Sequence, residues 1–233
     1  IIGNGGRIQP TTFIQNDFTT AGNVETGGDF DPTTEGIDFY ESLEGMLVQV
    51  NNPVVVGPTN NFGEFYVLPD NGANATGRTS RGGIAVSATD FNPERIQIDD
   101  TLLNPPSNGS LSPATNVGDK LSVISGIVGY SFSNYEVLNT AQIPQSSVTS
   151  GGLTKEVTNL TGSASQLTVG NFNVENLDPG DTAKFPALAS RIVTNLKSPD
   201  IINLEEIQDN NGATNDGVVA ADTTYNTLIA AIK

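Results

Sequence analysis

The stretch that decides the fold reads Lys120-Leu121-Ser122-Val123, then Gly126-Ile127-Val128-Gly129-Tyr130-Ser131-Phe132, then Tyr135-Glu136-Val137-Leu138. β-branched and aromatic residues dominate it, as a pleated, half-buried surface favours. The same texture extends back toward the N-terminus. Met46, Val48 and Val50 alternate with Leu47 and Gln49, Asn51-Asn52 signals a turn, and Pro53 to Val56 resumes an extended run. Phe65-Tyr66-Val67-Leu68 is another short strand, and Pro69-Asp70-Asn71-Gly72 ends it with strong turn residues. Gly83-Ile84-Ala85-Val86 and Arg95-Ile96-Gln97-Ile98 complete the series. No useful 3.6-residue apolar period occurs here, so short strands between turns predict a small barrel or sandwich.

The strand order, with Gly118-Asp119 turning before Leu121, looks like a small antiparallel OB-type barrel over residues 37–140. OB folds often bind single strands through aromatics on a basic groove. Phe65, Tyr66, Tyr130, Phe132 and Tyr135 supply aromatics, but only Arg78, Arg81, Arg95 and Lys120 supply bases in that span. Aromatic residues in strands are more often core, so a spacer or docking role fits better than tight nucleic-acid binding.

Outward from this block the texture changes. Residues 1–36 read as an acidic linker rich in Gly, Thr and Asn, and residues 17–44 hold eight acids and no base. A calcium loop on Asp29, Asp31 and Glu35 is the sharper alternative, but the EF-hand spacing is absent. Residues 141–166 are a polar connector. Beyond it, Leu167 to Val174 reads as a strand, and Asp178-Pro179-Gly180-Asp181 as a turn. Phe185, Leu188, Ala189, Ile192, Val193 and Leu196 then mark one face of an amphipathic helix. Ser198-Pro199-Asp200 stops it, Ile201 to Ile207 reads as a buried strand, and a second helical pattern starts at Asp222. A helix between two apolar strands predicts a parallel crossover. Its geometry brings Asn173 and Glu206 to one carboxyl edge, where ligands of open α/β sheets bind. An amide oxygen and a carboxylate are hard donors suited to Mg²⁺ or Ca²⁺.

Composition excludes much chemistry. The 233 residues carry 10 Lys plus Arg against 26 Asp plus Glu, a net charge of −16, with no Cys, His or Trp. Disulfides, thiol catalysis, His-dependent triads and zinc fingers are impossible. The longest apolar runs, such as Pro53 to Val56, are too short to span a membrane. The charge argues against a simple nucleic-acid binder: residues 1–152 hold 16 acids and 5 bases, a net of −11. The chain starts at Ile1 and stops inside the helical run Leu228 to Lys233, so a processed product or a piece of a longer chain is expected. The sequons at Asn74, Asn108 and Asn159 are expected by chance in an Asn/Thr-rich chain.

Phe172-Asn173-Val174-Glu175-Asn176, followed by Asp200 to Asp209, resembles the opening of the endonuclease/exonuclease/phosphatase superfamily, the DNase I-like fold. Gly36 to Val48 and Asp90 to Ile96 are similar to the large secreted bacterial nucleases in which OB-like modules precede the nuclease domain. The resemblance implies a mixed fold: an OB-like barrel over 37–140, then the incomplete α/β unit 167–233, the first strand-helix-strand-helix of a DNase I-like sandwich. It implies that Asn173 and Glu206 are catalytic and metal-binding, with Mg²⁺, Ca²⁺ or Mn²⁺ as the ion and DNA as the substrate of the whole protein. It also implies an extracellular location.

The superfamily site needs further residues as well: an Asp-x-Asn pair and two His, one in a Ser-Asp-His motif. This chain has no His, so it is expected to be inactive alone. The short α/β unit would leave a sheet face to be covered by missing residues or another copy. The competing expectation is a non-catalytic structural, adhesive or filament module derived from such a nuclease.

Overall fold

The computed structural model describes residues 1–12, 30–106 and 109–233. They form two compact units, Ile1–Leu153 and Thr154–Lys233. The expected acidic stretch loses Asp17, Glu25 and Asp29 from view, since these lie outside the described residues, as does the sequon at Asn108.

The first unit holds helix α1 (Gly36–Glu41) and strands β1 (Leu47–Asn51), β2 (Val54–Gly57), β3 (Phe65–Leu68), β4 (Ile96–Asp99), β5 (Val123–Ser131) and β6 (Asn134–Asn139). They make one six-stranded sheet in the order β1-β5-β6-β4-β3-β2. Every pairing is antiparallel except β4 with β6, which run parallel. The fold is therefore mixed, with a mostly antiparallel sheet and few helices.

The named strands form no closed barrel among the described residues. Asn52 (φ 45°) and Pro53 break the extended run between β1 and β2, and proline has no N–H for a ladder. Around the break the backbone pairs with the segment leading into β5: Asn52 N–H donates to Ser122 O (2.9 Å) and Leu121 N–H to Pro53 O (3.0 Å). Val55 N–H donates to Asp119 O and Gly118 N–H to Val55 O, each at 2.8 Å.

Alternation sends Val48, Val50, Phe65, Val67, Ile96, Ile98, Ile124, Val128 and Val137 into one core. β5 and β6 approach closely at Gly126, where any Cβ would overlap the Leu138 carbonyl. Composition reads residues 1–36 as linker, yet Ile2 is buried in this core and bridges to Val50. Helix α1, which has no periodic signature, adds Phe39 and Tyr40. In the turn before it, the Asp31 carboxylate accepts from the Thr33 and Thr34 hydroxyls. The run Gly83 to Val86, expected as a strand, contributes only an isolated bridge, Arg78 to Ile84.

The second unit is β7 (Val169–Leu177), α2 (Lys184–Ser190), a π-helical turn (Arg191–Asn195), β8 (Ile201–Ile207) and α3 (Asp222–Ile232). β7 and β8 run parallel, as the strand-helix-strand pattern predicts. Phe172, Val174, Leu177, Ile202, Leu204 and Ile207 face the helices, which return Phe185, Leu188, Ile192 and Leu228. The opposite face of the pair is exposed, so β8 is buried on one side only, not throughout.

Candidate functional site

β7 and β8 begin in regular register, Val169 opposite Ile201 through Asn173 opposite Glu205. The next pair is Leu177 opposite Ile207, so β7 takes four steps where β8 takes two. Three residues absorb this shift with left-handed backbones: Glu175 (φ 58°), Asn176 (φ 52°) and Glu206 (φ 61°). Such conformations cost non-glycine residues about 1–2 kcal/mol each, and they cluster where function constrains a chain.

The consequence at Glu206 is a change of phase. In an uninterrupted strand Glu205 and Glu206 would point to opposite faces. Here both are exposed, and Ile207 returns to the core cluster.

The two sequence-predicted residues meet at this irregularity. Asn173 Nδ2 donates to Glu206 Oε1 at 2.6 Å. Asn173 Oδ1 accepts from the Glu175 N–H at 2.8 Å, which fixes the amide with its nitrogen toward the carboxylate. Sequence reasoning misses Lys184, whose Nζ donates to the Glu175 carbonyl at 3.1 Å and pairs with Asp181 at 3.3 Å. It holds the bulge from the first residue of α2, and its nine-residue separation from Glu175 matches no motif.

A polar row leads up to the pair on the same exposed face. Asn203 Nδ2 donates to Asn171 Oδ1 at 2.6 Å, and Asn171 Nδ2 donates to Glu205 Oε1. Beyond the pair, Gln208 Nε2 donates to Asn176 Oδ1 at 2.8 Å.

The donor set limits what the pair does alone. Mg²⁺ wants six oxygens in near-octahedral array. Asn173 and Glu206 supply one amide and one carboxylate, and no group of three or more acidic, His or Cys side chains able to hold a metal occurs among the described residues. The pair alone therefore gives a divalent ion a weak foothold, not a resident site. A cleft of about 570 Å³ lined by Leu160, Gln166, Val169 and Leu196 lies at the opposite, amino-terminal end of the two strands. There Asp200 accepts from both the N–H and the hydroxyl of Thr168 at 2.8 Å, and these bonds hold its carboxyl below the usual range.

Of the calcium alternative near the N-terminus, Asp29 lies outside the described residues. Asp31 is occupied with its threonines, and Glu35 is buried.

The first unit disperses its aromatics. Phe65 is core, Tyr66 lies under the Arg95 guanidinium at 4.1 Å, and Tyr135 stacks on Tyr40 with ring centroids 5.6 Å apart. Of the five aromatics in the expected strands, Tyr130 and Phe132 are exposed, Phe132 at 94% on the β5–β6 hairpin, while Phe30, Phe62 and Phe91 are exposed away from them. Arg78 is used internally, donating to the carbonyls of Asn71 and Gly82.

A family model described as a domain of unknown function, DUF8508, matches residues 1–149. The chain belongs to the DUF8508 family. No curated protein and no solved structure matches it. The DUF8508 stretch takes in the whole six-stranded sheet and ends before β7, so Asn173 and Glu206 lie outside it.

Proposed function

We propose that this chain is part of an extracellular, divalent-metal-dependent nuclease or phosphodiesterase of the DNase I-like superfamily. In this reading the DUF8508 region is an OB-type spacer or docking module, and residues 167–233 open the catalytic domain. The observation that carries the reading is the Asn173–Glu206 hydrogen bond at the carboxyl ends of two parallel strands. Left-handed backbone at Glu206 adds support, because strain is tolerated where a side chain must be aimed. For the first unit, the parallel β4–β6 pair and the bonds from residues 118–122 to the β1–β2 break favour an OB-type path.

In such an enzyme Asn173 and Glu206 supply half of a site. Glu206 would give one carboxylate to Mg²⁺ or Mn²⁺, with substrate phosphates and other residues completing the shell. With no His in the chain, DNA hydrolysis by these 233 residues alone is not expected.

The test is a Mn²⁺ titration of the ¹⁵N-labelled chain followed by NMR. Paramagnetic broadening is expected first at Asn173 and Glu206, and Glu206→Gln should abolish it. Broadening spread over the acidic surface, unchanged in the variant, would refute the metal role and favour the structural or adhesive reading. Plasmid cleavage by the chain itself would refute the half-site.

A further inference from the structure

The six-stranded sheet buries two carboxyl groups on one face of neighbouring strands. Gln97 pairs with Glu136 across the parallel β4–β6 ladder, and Asp99 stands two residues along β4 on the same face. Gln97 is 4% exposed, Asp99 7% and Glu136 4%. Gln97 Nε2 donates to Glu136 Oε2 at 3.1 Å, and Ser131 Oγ, from the end of β5, donates to Glu136 Oε1 at 2.8 Å. Asp99 lies diagonally across the ladder from Glu136, and its charge bears on that carboxyl. Asp99 is itself fixed, because its Oδ1 accepts from the N–H and hydroxyl of Thr101, both at 2.7 Å. Gln97 Oε1 is buried at the same place with no partner among the described residues.

The surrounding charges do not neutralise this pair. Glu64, next to the start of β3, adds a third negative field. Arg95, on the same face just before β4, spends its guanidinium on the Tyr66 ring. β5 brings only Gly129 opposite Glu136.

A carboxyl out of water beside a second acid ionises only at a cost. We propose that Glu136 keeps its proton over a pH range where exposed carboxyls are ionised, and that this proton latches β4 to β6. Neutral Glu136 sits against Gln97 and Ser131 without setting a charge against Asp99 across the seam. Loss of the proton places a buried charge there while Arg95 is spent on Tyr66.

Burial first, then Asp99 and Glu64, raise the Glu136 carboxyl above its ordinary value of 4.5. A raised acid binds more protons folded than unfolded. Its stabilisation is complete below 4.5 and is lost as pH rises through the raised value. Between those points one linked proton changes the unfolding constant up to tenfold per pH unit.

The experiment is urea unfolding of the chain and of Glu136→Gln across a pH series. The repulsion from a net charge of −16 is nearly common to both and cancels in the comparison. The unaltered protein should weaken relative to the variant by up to tenfold per unit above 4.5, then level off. Identical pH slopes overturn the proposal. Should Glu136→Gln fail to fold, the ¹³C carboxyl resonance of Glu136 in the unaltered protein gives the answer. A midpoint in the ordinary carboxyl range overturns the latch. A raised midpoint that falls in Asp99→Asn supports the latch across β4 and β6, and one that stays put overturns it.

Discussion

Leu228 is the side chain on which the second unit turns. Leu228, at 2% exposure, is the residue of α3 that joins the buried cluster of Val174, Leu177, Phe185, Leu188 and Ile192. The other buried residue of the helix is Thr224, whose hydroxyl donates to the Gln208 carbonyl at 3.2 Å. Leu228→Ala removes three carbons, worth ~2.4 kcal/mol at ~0.8 kcal/mol per buried methylene. The cavity left behind brings the range to about 2.7–5 kcal/mol. Residues Thr154–Lys233 number 80, and a unit of that size has roughly 4–12 kcal/mol of stability in all. The substitution should therefore take away roughly a quarter of it or more. Ile229, next in sequence but 46% exposed, is the control, and Ile229→Ala should cost less than about 1 kcal/mol. Hydrogen exchange read on peptides from β7 and β8 measures both. Leu228→Ala should accelerate exchange in β7 and β8 by at least tenfold while Ile229→Ala leaves it nearly unchanged. Equal effects of the two variants would refute the assignment of the core.

Gly126→Ala should destabilise the six-stranded sheet by about 1–3 kcal/mol, since the new Cβ forces β5 away from Leu138, and a urea midpoint would register the loss. Glu206→Gly should not lower the thermal midpoint, because glycine accepts a φ of 61° freely; a drop of several degrees would mean that the left-handed backbone is not where the strain sits. The Thr33 and Thr34 hydroxyls hold the Asp31 carboxyl down to about 2 from 3.8. A depressed acid stabilises above its unfolded value, so the contribution of Asp31 should be present above 3.8 and fade as pH falls toward 2. Asp31→Asn should erase that acid-side component in unfolding curves. Tyr40 and Tyr135 should resist ionisation beyond the ordinary tyrosine range, Tyr40 chiefly through burial and Tyr135 through burial and the Glu41 carboxylate it donates to, as ultraviolet titration would report.

Much of this architecture is legible in the sequence, for reasons that differ by element. The run from Gly126 to Leu138 can be read because its alternation is long enough to exclude a helix, and β5 and β6 follow it. The parallel β7–β8 pair can be read because a helix of one apolar face needs a sheet on which to lie. Helix α1 cannot, since six residues give less than two periods and its two anchors are adjacent aromatics. Gly83 to Val86 misleads, because Gly82 (φ 85°) and the Thr79–Gly83 backbone bond fold that segment into a turn. The helix after Phe185 keeps its apolar face but widens into a π turn at Arg191, which side-chain spacing does not encode. At the candidate site, the crossover alone brings Asn173 and Glu206 to one edge. Their hydrogen bond depends on left-handed residues at 175, 176 and 206, and nothing in Glu or Asn at those positions announces them.

The mismatch between β7 and β8 also sets which lengths of chain the second unit accepts. Two surplus residues stand between the buried Leu177 and Asn173. Deleting both Glu175 and Asn176 would set Leu177 directly after Val174, and neighbours in a strand face opposite ways, so Leu177 would turn out and the N–H that steers the Asn173 amide would be lost. Deleting one would leave Leu177 two places from Val174, on the same face. The segment thus behaves like a reading frame, tolerant of one missing residue and intolerant of two.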